Sequence, residues 1–419
     1  MAGATRPSRQ GAGLGERVAE VVTRGVAAGD VPGAAWWVAG GDDVVRGEAG
    51  THGPGSDGPI RPDTVFRLSS TTKPIVAAAA MTLVDDGALD LDAPVDDVLP
   101  ELADRRVLVD PTDPRGVTVP ARRPITARDL LDFRLGLGMD FTGPWPSPFL
   151  AAMADAGLPP GPPAPQAQPE PDGWMRRVGT LPLAHQPGER WLYHTGASVL
   201  GVLLARVSGR PLPELLQERI LSPLGMTSTG FGVPERARAR LGPHWAPAEE
   251  GGLRLYDPAD GQWSRRPAFP DAGDGLVSTV EDLAAFAAML QAGGVAPVGA
   301  GSRPQRGSGD SGPGRILSEG TVRAMLTECV GPIDDEGGGW GLGIGVRRVD
   351  EPGGRHAGSF GWDGGMGSTW WTDPVSGVTA ILLTDLVWPS PMPPAVFDEF
   401  RAAAFGTGAE AGAAVSDEA

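Results

Sequence analysis

The residues best suited to chemistry lie in one stretch, Phe66-Arg67-Leu68-Ser69-Ser70-Thr71-Thr72-Lys73-Pro74. Lys73 is the only lysine in 419 residues; the rest of the 35 Lys and Arg residues are arginines. The two side chains differ where a base must lose its proton. A guanidinium stays charged, whereas a desolvated ammonium can become a neutral amine. Ser-x-x-Lys on a helix puts a hydroxyl and an amine on one face, one turn apart, the arrangement of a serine nucleophile activated by lysine. The motif alone also arises by chance at ordinary helix starts. The solitary lysine argues for the chemical reading, because a replaceable lysine in so arginine-rich a chain would more readily have been Arg.

The flanking pattern shows how the pair is held. Thr64 to Leu68 alternates and delivers the chain to Ser70. Ile75 to Val84 is an Ala-rich apolar helix ending at Asp85-Asp86-Gly87, with Pro74 tolerable in its first turn. Ser70 therefore sits near a helix N-terminus, where free N–H groups and the dipole favour developing negative charge.

Elsewhere, the spacing predicts helices over Leu14 to Ala28, over Ile125 to Leu131 with Thr126 as N-cap, over Thr195 to Ser208 closed by Gly209, over Leu212 to Leu221, after Thr279, and over Pro394 to Phe405. Strands are expected at Ala34 to Ala39 and Asp43 to Gly50 around a Gly40-Gly41-Asp42 turn, then at Trp340 to Val346, Gly367 to Thr372 and Val378 to Asp385. Leu158 to Gly173 reads as a long loop that could cover a site. His185 and His244 read as loop residues. With strands at both ends and helices between, the sheet must be assembled from distant parts. The expected organisation is a disordered 1–12, an α/β domain from 13–90 and 270–405, a mostly helical lobe from 91–269, and a disordered tail from 406. Residues 292–315, rich in Gly, Ser, Pro and Arg, read as a flexible insertion within the α/β domain.

The bulk composition excludes several function classes. A net charge of -17 argues against nucleic acid or an anionic membrane as partner. No apolar run approaches a membrane span, and no apolar segment of signal-peptide type follows the polar N-terminus, so a cytoplasmic location is expected. The single cysteine, Cys329, excludes an internal disulfide and reads as a core or half-buried residue. The acidic residues show no metal-ligand spacing, and no metal or other cofactor is expected.

Phe66 to Pro74, Ile125 to Gly138, Pro187 to Thr195 with Leu200-Gly201, Leu221 to Gly225 and Gly275 to Thr279 together resemble the serine β-lactamase and penicillin-binding-protein superfamily, over roughly residues 14–405. Within it the chain is similar to class C β-lactamase-related hydrolases and family VIII carboxylesterases. The resemblance implies an α+β, β-lactamase/transpeptidase-like fold: an antiparallel sheet flanked by helices, plus a mostly helical lobe. It also implies a second catalytic residue, Tyr193, at the head of the family's Tyr-x-Asn motif. The chain has only two tyrosines beside 12 Trp and 11 Phe, so a merely packing Tyr193 would more readily be Phe or Trp. A phenolate beside a cationic lysine can act as general base and later return the proton.

The chain departs from the family at two motifs. Thr195 stands where Asn is usual, and a chain with one lysine cannot carry Lys-Thr-Gly. Two stretches could replace that third motif: His356-Ala357-Gly358 or Trp362-Asp363-Gly364-Gly365, with spacing to Asp373-Pro374 favouring the second. The N–H groups of Ser70 and Gly365 are expected to hold an oxyanion. His194, Thr195, His356, Trp362 and Gly364 are expected to contact a small ester or amide substrate. Losing a cationic lysine there implies neutral esters over penicillins. The expected function is ester hydrolysis through an acyl-enzyme on Ser70. The alternatives are acyl transfer, weak β-lactamase or D-amino-acid peptidase action, or ligand binding without catalysis. Oligomeric state is not legible.

Overall fold

The computed structural model describes residues 9–41, 43–56, 58–143, 147–159, 161–297, 314–390 and 392–406. Expectations about 1–8, 298–313 and 407–419 lie outside the described residues. Seven antiparallel strands form the main sheet: β1 (Gly33–Gly40), β2 (Asp43–Gly50), β3 (Gly338–Trp340), β4 (Gly345–Arg347), β5 (Phe360–Gly364), β6 (Ser368–Asp373) and β7 (Val378–Thr384). Their order across the sheet is β2-β1-β7-β6-β5-β4-β3. The join between the two ends of the chain is β1 on β7, with Trp36 opposite Leu382 and Trp37 opposite Ile381.

Both faces of this sheet are covered. Strand alternation sends Trp36, Trp371 and Leu382 to one face, against Val18 and Val22 of helix α1 (Arg9–Ala28) and Phe397 and Phe400 of the last helix, Ala395–Phe405. Ala35, Trp370, Ile381 and Leu383 face the other way, into the large core that contains the helix carrying Lys73, here α2 (Thr72–Asp85), and Phe286 of Val280–Gln291. Burial on both sides makes β7 read as a continuous apolar run rather than an alternating one. Each large apolar side chain sealed this way contributes roughly 1.5–3 kcal/mol. The result is the α+β arrangement expected for the family that the motifs resemble.

Local chemistry explains the helix ends. Thr126 accepts from the Asp129 N–H while the Asp129 carboxylate accepts from the Thr126 N–H, a complete capping box. Thr279 caps Val280–Gln291 in the same way from its side chain. Gly209, at φ 64°, closes Thr195–Ser208 in a conformation that a side chain would resist.

Several expectations are corrected. Helix α1 begins at Arg9, so 9–12 belong to it rather than to a disordered start. The stretch 340–346 is two strands, because Gly343 at φ 79° turns the chain and the Gly341 N–H donates to the Ile344 carbonyl. A β-carbon at Gly343 would lie 2.3 Å from that of Ala77 on α2, so the turn presses on that helix. Strand β5 had no strand-like signal; its Phe-Gly-Trp-Asp-Gly sequence carries two glycines. The helix from Leu212 is regular only to Leu216 and then widens to a π turn over Gln217–Leu221. The loop expected over 158–173 ends at Glu170, and Pro171–Thr180 is helical. Val295 and Arg315 pair, so the ends of the expected insertion meet. Cys329 is exposed, just past the helix Glu319–Leu326, and not a core residue. His244 opens a strand, His244–Pro247, and is fully buried.

One buried ion pair anchors the approach to Ser70. Arg67 is wholly buried; its Nε and Nη2 donate to Asp257 Oδ2 at 3.1 and 2.6 Å, and its Nη1 donates to the Gly242 carbonyl at 3.0 Å. Removing one partner strands a buried charge. Asp257→Ala is expected to lower unfolding stability by about 3–5 kcal/mol. Urea unfolding checks this; a loss below about 1 kcal/mol would mean that Arg67 finds another partner.

Candidate active site

Four segments far apart in sequence converge on Ser70. The first is its own turn. Phe66–Arg67 pairs antiparallel with Val277–Ser278, and the Leu68 N–H donates to the Leu276 carbonyl at 2.9 Å. The chain then makes a 3-10 turn over Ser69–Thr71 and enters α2 at Thr72. Ser69 sits at φ 46°, an uncommon value for a residue with a side chain, immediately before Ser70. One helical turn on, Lys73 brings its Nζ to 2.8 Å from Ser70 Oγ.

The second segment carries Tyr193. Tyr193 and Met139 exchange backbone hydrogen bonds of 2.8 and 2.9 Å. The Tyr193 ring lies 4.5 Å beneath Lys73 Nζ and packs among Phe133, Phe141, Trp191 and Trp362. Its phenol oxygen accepts from the Trp362 indole N–H at 2.7 Å. That bond occupies a lone pair and leaves the phenol hydrogen free to be donated. His194 follows at φ 83°, ψ -61°, a second strained residue beside a reactive one.

The third segment lies under the lysine. Lys73 Nζ donates to the Gly273 carbonyl at 2.7 Å and lies 3.2 Å from His194 Nδ1. Asp271 Oδ1 accepts from Ser198 Oγ and from the Gly273 N–H, both at 2.7 Å, and so fixes the peptide that holds the lysine. Asp274 Oδ2 is 3.9 Å from His194 Nε2. The donor atoms of His194, Asp271 and Asp274 lie within 4.8 Å of one another, a spacing a metal ion could bridge. Asp271 Oδ1 and His194 Nδ1 are nevertheless committed to Ser198, Gly273 and Lys73, which ties His194 directly, and Asp271 through Gly273, to the lysine.

The fourth segment is the end of β5. A β-carbon on Gly364 would lie 2.1 Å from the Leu68 carbonyl and 2.4 Å from Ser368 Oγ, so only glycine lets the strand lie on the serine turn. Ser368 Oγ donates to the Leu68 carbonyl at 2.7 Å, which leaves Thr71 Oγ1 to donate to Ser368 at 2.7 Å. The Gly365 carbonyl accepts from the Trp388 N–H at 2.8 Å. A side chain at Gly365 would meet open space.

The electrostatics follow from burial. Desolvation lowers the Lys73 pKa to about 7, partly opposed by Asp274 and then Asp271. Burial pushes the Tyr193 phenol well above its ordinary value, and hydrogen bonds to Ser70 and Trp362 offset only part of that. Burial therefore works against a phenolate base and for the lysine of the Ser-x-x-Lys reading: the amine is the group able to be neutral near pH 7, and the phenol keeps its proton. Burial, then the neighbouring Lys73, holds His194 well below the usual histidine range. Burial, reinforced for Asp274 by the adjacent Asp271, raises both carboxyls.

Residues 18–395 match the family model described as Beta-lactamase. The chain belongs to the beta-lactamase family. Esterase EstB of Burkholderia gladioli is 29% identical over 79% of this chain and 79% of that protein. Acyltransferase calJ of Penicillium decumbens is 30% identical over 80% of this chain and 77% of its own. The solved structure of EstCE1, a hydrolase with promiscuous acyltransferase activity, covers 95% of this chain and 100% of its own at 23% identity, with a TM-score of 0.76, and supports the fold.

Among the expected site residues of this beta-lactamase family member, Ser70, Lys73, Tyr193, His194, Trp362, Gly364 and Gly365 come together. Their roles differ in part from expectation. The Trp362 indole N–H is spent on Tyr193, and the His194 ring lies against Lys73. Thr195 is buried at the first position of Thr195–Ser208, and with Ser198, Asp271 and Asp274 it borders a cavity of about 120 Å³. Met139, Met153, Leu158 and the proline-rich loop form that cavity's apolar side, and Tyr256 Oη holds the loop by donating to the Pro163 carbonyl at 2.7 Å. His356 does not join the site. Its Nδ1 bonds Asp373 Oδ2 at 2.6 Å, at the far end of β6 from Ser368. At about 3.4 Å per residue that is most of a strand length away from the serine turn. Of the two stretches, it is Trp362-Asp363-Gly364-Gly365 that runs against the serine turn.

Asp271, Gly273 and Asp274 went unnoticed in the sequence. Two acids flanking an Ala-Gly just before Gly275 was the available signal. No helix among the described residues is long and apolar enough to cross a membrane. Because β5 rests directly on the serine turn, Gly364→Val is expected to lower catalytic turnover at least about 100-fold by pushing the strand end off that turn. Steady-state kinetics beside a thermal melt check this; full turnover by a stable variant would show that the strand end is dispensable.

Proposed function

We propose that this chain hydrolyses carboxylic esters through an acyl-enzyme on Ser70. The observation that carries the reading is the 2.8 Å contact between Ser70 Oγ and a buried lysine able to be neutral near pH 7. Ser70 Oγ attacks the ester carbonyl while Lys73 takes its proton. The developing oxyanion is held by the N–H groups of Ser70, near the start of α2, and of Gly365. The Tyr193 phenol, oriented by Trp362, gives its hydrogen to the departing alkoxide and is reprotonated through Lys73. Water activated by the same pair then releases the acid. The similarity to EstB supports an ester as substrate. No lysine is available in a third motif to attract a carboxylate, which favours neutral esters over penicillins.

Acyl transfer is the second reading, favoured by the similarity to calJ, since an alcohol can replace water at the acyl-enzyme. Product analysis with an added alcohol separates the two. A new ester as main product would favour transfer, and free acid would favour hydrolysis.

Ser70→Ala is expected to lose at least about a thousandfold in kcat/KM on a short p-nitrophenyl ester and to lose fluorophosphonate labelling. Full activity in that variant would refute the acyl-enzyme. Lys73→Arg should be comparably inactive, because guanidinium cannot accept the proton. The pH dependence follows from the sign of the lysine shift. The reactive form is the deprotonated one, so kcat/KM should rise with pH through about 7 and level above it. A profile flat from pH 5 to 8 would exclude lysine as the base.

A further inference from the structure

We propose that His194 is a positioning residue that turns the lone pair of the Lys73 amine onto Ser70. The inference rests on the reading of Lys73 as general base. Beyond its bond to Cε, an amine nitrogen has three tetrahedral directions. Here those directions meet three atoms: Ser70 Oγ at 2.8 Å, the Gly273 carbonyl at 2.7 Å and His194 Nδ1 at 3.2 Å. An ammonium donates along all three. A neutral amine has two hydrogens and one lone pair, and its neighbours decide where the lone pair goes.

A carbonyl oxygen can only accept, so one hydrogen stays on Gly273. The Asp271 carboxylate holds that peptide from the other side through the Gly273 N–H. The outcome then depends on the histidine tautomer. With its proton on Nε2, His194 accepts the second hydrogen at Nδ1, and the lone pair can face only Ser70 Oγ. With its proton on Nδ1, His194 would donate to the lone pair and silence the base.

Two features favour the useful tautomer. Nε2 faces Asp274 Oδ2 at 3.9 Å, beyond a hydrogen bond but near enough for the carboxyl oxygen's negative potential to favour the proton on that nitrogen. The unusual backbone at His194, φ 83° and ψ -61°, holds the ring between Lys73 on α2 and the acidic 271–274 segment. The charged and titratable groups around the ring are thus Lys73, Asp271 and Asp274, with Tyr193 adjoining. The His194 ring touches Lys73 Nζ, which in turn touches Ser70 Oγ, so His194 acts on the reaction through the lysine.

The test is the second-order rate at which a fluorophosphonate labels Ser70, a readout of serine activation that does not depend on choosing the right ester. His194→Ala is expected to slow labelling and ester kcat by about 30–100-fold with little change in KM, by loss of general-base efficiency. His194→Asn places an amide oxygen where Nδ1 was and should recover to within about fivefold of wild type. An Asn variant as slow as the Ala variant, with thermal midpoints unchanged, would overturn the acceptor role. An Ala variant within threefold of wild type would overturn it as well. A wild type that does not label at all would instead refute the serine-nucleophile reading, and this inference with it.

Discussion

Taking one ammonium group out of water is the constraint on which this structure depends. Burying a charge that well costs several kcal/mol unless partners replace the lost solvent. Around Lys73 the replacement is a hydroxyl, a carbonyl, an imidazole nitrogen and the face of a phenol ring, with two carboxyls just beyond. The compensation is incomplete, and that is its chemical use. An amine held this way gives up its proton near neutrality, whereas the same environment makes the Tyr193 phenol keep its own. One burial therefore drives the two groups apart, the amine toward neutrality and the phenol toward keeping its proton.

The rest of the fold can be understood as the means of bringing those partners together. The serine turn and the segment carrying Gly273 are locked by the short pairing of Phe66–Arg67 with Val277–Ser278. Tyr193 is tied to Met139, and β5 lies on the serine turn through Gly364 and Ser368. Of the non-glycine residues at positive φ among the described residues, Ser69 and His194 adjoin the reactive groups. Such conformations cost about 1–3 kcal/mol each and persist where packing over-determines them. Here the packing includes the aromatic cluster of Phe133, Trp191, Tyr193, Trp340 and Trp362 and the buried Arg67–Asp257 pair.

Much of this was legible in the chain, and the gaps have physical causes. Helix starts at Thr126 and Thr279 were readable because a cap is a local hydrogen bond. Strands β1, β2, β6 and β7 were readable because alternation or an apolar run marks them. Strand β5 was not, since its glycines are there to let backbone approach the serine turn rather than to favour a strand. The break between β3 and β4 was hidden for the same reason, its Gly343 being required by Ala77 on α2. Cys329 reads as core or half-buried because it lies at the end of an amphipathic stretch, but the helix ends before it.

The sequence by itself determined the Ser-x-x-Lys pair. Ser70 and Lys73 are one helical turn apart, and their proximity follows from helix geometry alone once the helix forms. The scarcity of lysine and tyrosine marked the third member. Only the tertiary structure decided which of the two groups is pushed toward losing its proton and which toward keeping it, because that depends on how deeply each is buried. It also decided that Trp362 rather than His356 reaches the site, and that His194, Asp271, Gly273 and Asp274 surround the lysine. Those partners come from positions separated by more than a hundred residues along the chain, and no local pattern records a distance that only folding creates.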